Sequence, residues 1–261
     1  MLKKTFRSAA ILALLAGLCA GSATAAELKV LCANALRPAL QELAPAFEKS
    51  SGHKLSIQYD TAGKIEEKVA AEDPIDVAIL TKPQVDKLVR VAKLVGGSTA
   101  TLASTPIGVA VKKGAPKPDI GSVDTFKKTL LNAKAIATGD PTSGAATKHV
   151  VQVIEKLGIA AELKPKMRFV AVQGGQTAPV GDLVAKGEAE LAILPIGLLK
   201  EVQGIEVVGP LPAELQSPDL VFVGAAPPYS EQALAAKAFI DFLAAPTNKA
   251  VYKAKGMEPA A

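Results

Sequence analysis

Four short runs of small residues stand directly before helix-like stretches: Ala33-Asn34-Ala35-Leu36, Thr61-Ala62-Gly63-Lys64, Thr142-Ser143-Gly144-Ala145-Ala146 and Gly174-Gly175-Gln176-Thr177. Each falls where a strand pattern gives way to a helix pattern. Small side chains let a ligand reach the backbone. The first N–H groups of a helix have no helical acceptor, and the helix dipole makes that end positive. The chemistry on offer is capture of a carboxylate or another oxyanion without a metal. Taken singly, each run also reads as an ordinary helix N-cap; four in one chain point to an anion site.

Such turns must be held by strands that end where the turns begin. Glu27 to Cys32 alternates as a strand does, and Pro38 to Lys49 carries the helical stripe Leu40, Leu43, Ala44, Phe47. Lys54 to Tyr59, Ile65 to Ala71, Asp76 to Leu80 and Gln84 to Ala92 continue as strand, helix, strand, helix, a succession that predicts a parallel sheet with crossover helices. A second group follows. Strands are expected at Ile107 to Val111, Ala133 to Thr138, Arg168 to Val172 and Leu191 to Leu194, with helices at Ser122 to Leu131, Ala145 to Leu157 and Val180 to Lys186. A strand at Leu220 to Ala225 and helices at Ser230 to Leu243 and Thr247 to Ala254 close the chain. The expected architecture is α/β in two lobes, the first built from 26–104 and 216–261, the second from 105–215. Two crossings, near Ala103 to Pro106 and Leu211 to Pro218, would form a hinge with a ligand cleft between the lobes.

Lys3, Lys4 and Arg7, an apolar run from Ala9 to Leu18 and the small-residue site Ala23-Thr24-Ala25 have the layout of a secretory leader spanning 1–25. The run is too short to span a bilayer, so export to the periplasm without membrane insertion is expected. The chain's net charge of +5 is partly the leader's, since without those three residues 27 basic side chains face 25 acidic ones. With no Trp and no basic block interleaved with aromatics, nucleic acid is not an expected partner. Cys32 is the one cysteine after the leader and reads as a buried inert thiol. With two histidines, His53 and His149, a structural zinc site is not expected. No metal and no cofactor is expected, and a monomer is.

The stretches LKVLCANAL, YDTAGKIEEKVAAEDPIDVAIL, ATGDPTSGAATKHVVQVIEKLG, LVAKGEAELAIL and FIDFLAAPTNKAVYKAKGMEP resemble the periplasmic type II solute-binding proteins, and within them the molybdate-binding branch. The resemblance implies the type II two-lobed fold with two hinge crossings and an interlobe ligand. It also implies which donors are missing. Molybdate binders supply serine hydroxyls from the first two turns and a tyrosine after the late strand; the matching positions here are Ala35, Ala62 and Pro195. Backbone donors near Ala146 and Thr177 remain. Divergent members with this pattern resemble the periplasmic aconitate isomerases, which shift the double bond of a tricarboxylate without a cofactor.

On that resemblance the ligand is a small anion, a tricarboxylate such as aconitate. Arg37, Lys64 and Lys148 flank three of the turns and are candidate partners for its carboxylates, or simply solvated cations. Asn34, Thr61, Ser143, Gln176 and Thr177 are neutral donors for the remaining oxygens. Isomerisation needs a base, and His149 is the candidate by its ordinary pKa; a packed helix histidine is the alternative. Tyr59 and Asp60 are weaker candidates, Asp140 reads as fixing the turn before Pro141, and His53 reads as idle. The alternative function is a non-catalytic binding component serving an ABC permease, for a carboxylate or molybdate.

Overall fold

A computed structural model describes residues 25–171 and 178–260. Residues 1–24 of the expected leader 1–25 and the turn Gly174 to Thr177, with the expected ligand residues Gln176 and Thr177, lie outside the described residues. The first group of elements is β1 (Glu27–Ala33), α1 (Arg37–Ser51), β2 (Lys54–Asp60), α2 (Ala62–Ala70), β3 (Val77–Thr81), α3 (Lys82–Arg90) and β4 (Ala100–Ser104). The second is β5 (Ile107–Lys112), α4 (Val123–Asn132), β6 (Ile136–Gly139), α5 (Ala145–Lys156), α6 (Ala160–Leu163), β7 (Met167–Val170), α7 (Ala178–Lys186), β8 (Leu191–Pro195), α8 (Ile196–Leu199) and β9 (Ile205–Pro210). The chain then adds β10 (Val221–Ala225), α9 (Ala233–Ala244), α10 (Lys249–Ala254) and β11 (Glu258–Pro259).

Two sheets organise these elements, one in the order β11-β4-β10-β3-β1-β2 and the other β7-β6-β8-β5-β9. The chain leaves the first sheet between β4 and β5 and returns through 211–220 to β10. Each sheet with its helices is one lobe of an α/β fold, with a cleft between.

The sheets are mixed, which corrects the parallel expectation. β1 pairs in parallel with β2 and β3, and β6 with β7 and β8, as crossover helices require. β10 runs antiparallel to β3 and β4, and β5 antiparallel to β8 and β9. The physical reason lies in the crossings. A strand that arrives from the other lobe has no crossover helix to fix its direction. β4 and β9 had no reading in the sequence: both are five or six residues long and β9 is only half-buried, so neither period is clear.

β3 and β8 are buried along their whole length, the pattern of central strands covered on both faces. α1 buries Leu40, Leu43, Ala44 and Phe47 and ends at Gly52, whose φ of +77° makes the left-handed cap. His53, read as idle, accepts a hydrogen bond at Nδ1 from the Ala26 N–H at 3.0 Å and so holds the start of β1. Cys32 is fully buried, and burial pushes its thiol pKa up. Among the described residues no helix is long and apolar enough to cross a membrane.

Candidate functional site

Because β1, β2 and β3 are parallel, Ala33, Asp60 and Thr81 end on one edge of the first sheet. β6 and β8 do the same for Gly139 and Pro195 in the second. The turns that follow β1, β2, β6 and β8 meet in the cleft, which is where ligands of open α/β sheets sit. They enclose a chamber of about 60 Å³ whose lining includes Asn34, Ala35, Thr61, Ala62, Gly144, Ala145 and Ala146. Three of the four small-residue turns are therefore brought together.

Two of the chamber's polar side chains stand buried without a partner among the described residues. Asn34 and Thr61 are 6% and 5% exposed. Neither the Asn34 Nδ2 and Oδ1 atoms nor Thr61 Oγ1 has a hydrogen-bond partner among the described residues. Thr61 is also the N-cap of α2, a position where a threonine oxygen ordinarily accepts from the first turn, yet it makes no such bond. A buried polar group without a partner costs about 1–3 kcal/mol, so three such atoms on one small chamber are an uncompensated cost unless something else takes the bonds. Around them lie first-turn amides of α2 and α5, those of Ala62, Ala145 and Ala146, which helix geometry leaves without a helical acceptor. Leu194, Pro195, Leu198 and Phe222 form a carbon wall, and Asp140 and Thr147 complete the polar part of the lining.

The expected cations stand elsewhere. Arg37 opens α1 but its guanidinium pairs with Glu201 at 2.6 Å. Lys64 is exposed, with Nζ 3.9 Å from Asp60 Oδ1. Lys148 and His149 line a neighbouring groove of about 350 Å³, together with Ser143, Gln152 and Asp219. His149 Nε2 lies 2.9 Å from the Leu215 carbonyl oxygen, which makes that nitrogen a donor to the segment that crosses between lobes. Neither His149, Arg37, Lys64, Lys148 nor Ser143 is on the chamber's lining. Tyr59 and Asp60 are not on it either; burial pushes the Tyr59 phenol pKa up, and Asp60 Oδ1 accepts from the Thr61 N–H at 2.7 Å.

Several lining residues, Leu198, Phe222, Thr147 and Asp140 among them, have no binding reading in the sequence. Leu198 and Phe222 arrive from a four-residue helix and from the returning strand, and no local pattern places either near the first turns. Thr147 sits in the first turn of α5. Asp140 does fix its turn, as expected, since its Oδ1 accepts from the Thr142 N–H at 2.9 Å and from Thr142 Oγ1 at 2.8 Å. It is also the one titratable side chain on the lining among the described residues. The Thr142 hydrogen bonds, with smaller help from Ser143 and Lys64, hold its carboxyl below the usual carboxylate range.

Comparison with known proteins places this geometry in context. A family model described as bacterial extracellular solute-binding protein matches residues 28–258. The chain is 32% identical over 237 residues to an aconitate isomerase from a Pseudomonas species, covering 89% of this chain and 87% of that protein. It is 29% identical over 255 residues to the molybdate-binding protein ModA of Azotobacter vinelandii, covering 94% of this chain and 95% of that one. The solved structure of the periplasmic molybdate-binding protein of Azotobacter vinelandii superposes with a TM-score of 0.72 at 21% identity, over 88% of this chain and 98% of its own, a likeness of fold.

Proposed function

The chain belongs to the bacterial extracellular solute-binding protein family, in its molybdate-binding-like branch, and we propose that its interlobe chamber binds a small polycarboxylate of the aconitate class. The observation that carries this is the sharing of one chamber by unpartnered donors and a carbon wall. A bare oxyanion presents oxygen on every side and would lose hydration without replacement against Leu194, Leu198 and Phe222. A polycarboxylate divides its surface into oxygens and carbon. Its carboxylate accepts from Asn34 Nδ2, Thr61 Oγ1 and the amides of Ala62, Ala145 and Ala146; its carbon skeleton lies on the wall. Residues 1–25 act as the leader, and the chamber works in the periplasm between lobes of 26–104 with 216–261 and of 105–215.

The specific activity proposed is interconversion of cis- and trans-aconitate, supported by the 32% identity to an aconitate isomerase. A base takes a proton from the methylene carbon, the electron pair left behind forms the new double bond, and a proton is returned to the far carbon of the old one. No oxidant or cofactor is consumed. Asp140 is the lining group able to exchange that proton. One observation favours the second reading, carriage without chemistry for an ABC permease: a carboxyl held below its usual range is a weak base for carbon acids.

Incubation of the purified protein with trans-aconitate in deuterated buffer, followed by NMR, tests both. Conversion or deuterium uptake establishes the isomerase. Stoichiometric binding with neither establishes the carrier, and absence of binding removes the polycarboxylate reading.

A further inference from the structure

The chamber and the neighbouring groove share Gly144 and Ala145, and between them a backbone hydrogen bond crosses the cleft. The Gly63 N–H, in the first turn of α2, donates to the Ser143 carbonyl oxygen at 3.0 Å. Thr61 and Ala62 line the chamber, whereas Gly63 and Ser143 line the groove. A Cβ added at Gly63 would stand 2.9 Å from that carbonyl oxygen and 3.2 Å from Ser143 Cα. Both atoms are backbone, so no side chain can turn aside to make room. Gly63 has no positive φ that would call for glycine, and in helical backbone alanine is the better residue. The local structure of α2 therefore gives no reason for a glycine; the contact across the cleft does.

We propose that the Gly63–Ser143 bond is the seal between the chamber and the groove, and that the missing side chain at position 63 is what lets the lobes close on a ligand. The proposal rests on the reading of the chamber as a binding site, but the seal has a readout that needs no ligand. The groove is then the vestibule through which an anion reaches the chamber, and the seal must break for it to pass. A methyl group at position 63 keeps the two turns apart without touching the chamber's lining.

Amide hydrogen exchange at residue 63, read by NMR on the purified protein, is the test. In the wild type this amide is protected. In Gly63→Ala, after correction for intrinsic rates, it exchanges at least ten-fold faster, while thermal stability is unchanged or raised. Ser143→Ala keeps the carbonyl, and Gly97→Ala adds a Cβ where nothing lies within 4 Å; both retain wild-type protection at residue 63. Stopped-flow release of trans-aconitate is expected to be at least ten-fold faster in Gly63→Ala. An unprotected residue-63 amide in the wild type, which needs no variant to observe, overturns the proposal, as does undiminished protection in Gly63→Ala. A wild type that fails to bind aconitate counts against the polycarboxylate reading alone, because the exchange measurement still decides the seal.

Discussion

Arg37 Nη2 and Glu201 Oε2 meet at 2.6 Å, joining the first turn of α1 in one lobe to the segment after α8 in the other. Their side chains are 15% and 27% exposed, so the pair is mostly shielded from water. A cation beside the first anion turn is thus engaged by a carboxylate of the opposite lobe.

That pairing has a measurable weight. Hydrogen bonds between charged groups contribute about 1.5–3 kcal/mol, and removal of either partner takes this bond from the other. Arg37→Ala and Glu201→Ala are each expected to lower unfolding free energy by about that amount, with the double variant losing much less than the sum. Urea unfolding of the four proteins checks this. Additive losses would show that the two residues act independently.

Thr61→Val and Asn34→Ala separate a binding role from a structural one. Each removes a buried polar group that has no partner among the described residues, so the free protein should melt at the wild-type temperature or above it. Ligand affinity should fall by about 1.5–3 kcal/mol per variant, as expected for a donor to a charged acceptor. Calorimetric melting paired with titration reads both quantities. A destabilised Thr61→Val that binds normally would assign Thr61 to the fold.

Asp140 gives a prediction in pH. Its folded carboxyl lies below its ordinary value of 3.8 because Thr142 hydrogen-bonds the ionised form. The stability this supplies is present above that ordinary value and is lost as pH falls through the lowered folded one. Asp140→Asn should therefore melt below the wild type at pH 6, and the gap should close as pH drops under about 3.8. The same variant should bind an anion more tightly, since a negative charge leaves the lining, and should lose any proton exchange into aconitate. A gap that stays constant down to pH 2 would contradict the assignment.

His149 is expected to act through the crossing segment. With Nε2 donating to Leu215, His149→Ala should cost about 0.5–1.5 kcal/mol and His149→Gln, which keeps a donor, should recover part of it. Deuterium uptake by aconitate in His149→Gln should match the wild type. Loss of uptake with stability retained would return His149 to the role of base.

The legible and illegible parts of the site divide by range. The runs at Asn34, Thr61 and Gly144 could be found from sequence because a small-residue turn before an amphipathic stretch is a local signal. The same holds for the long elements: α1 and β3 lie within a few residues of their expected bounds because their apolar periods are clear. Phe222 and Leu198 could not be found, since each reaches the chamber through pairing or packing distant in sequence. The pairing of Arg37 with Glu201 spans 164 positions and has no local trace. His149 looked fit for catalysis on chemistry alone; which carbonyl its ring would meet depends on where 211–220 passes.

The central claim, a chamber built for a small polycarboxylate rather than a bare oxyanion, is tested most directly by isothermal titration of the purified protein with trans-aconitate and with molybdate. One-to-one binding of aconitate, at least 100-fold tighter than molybdate (about 2.7 kcal/mol) and weakened in Thr61→Val, is the result expected. Tight binding of molybdate with none of aconitate would contradict it.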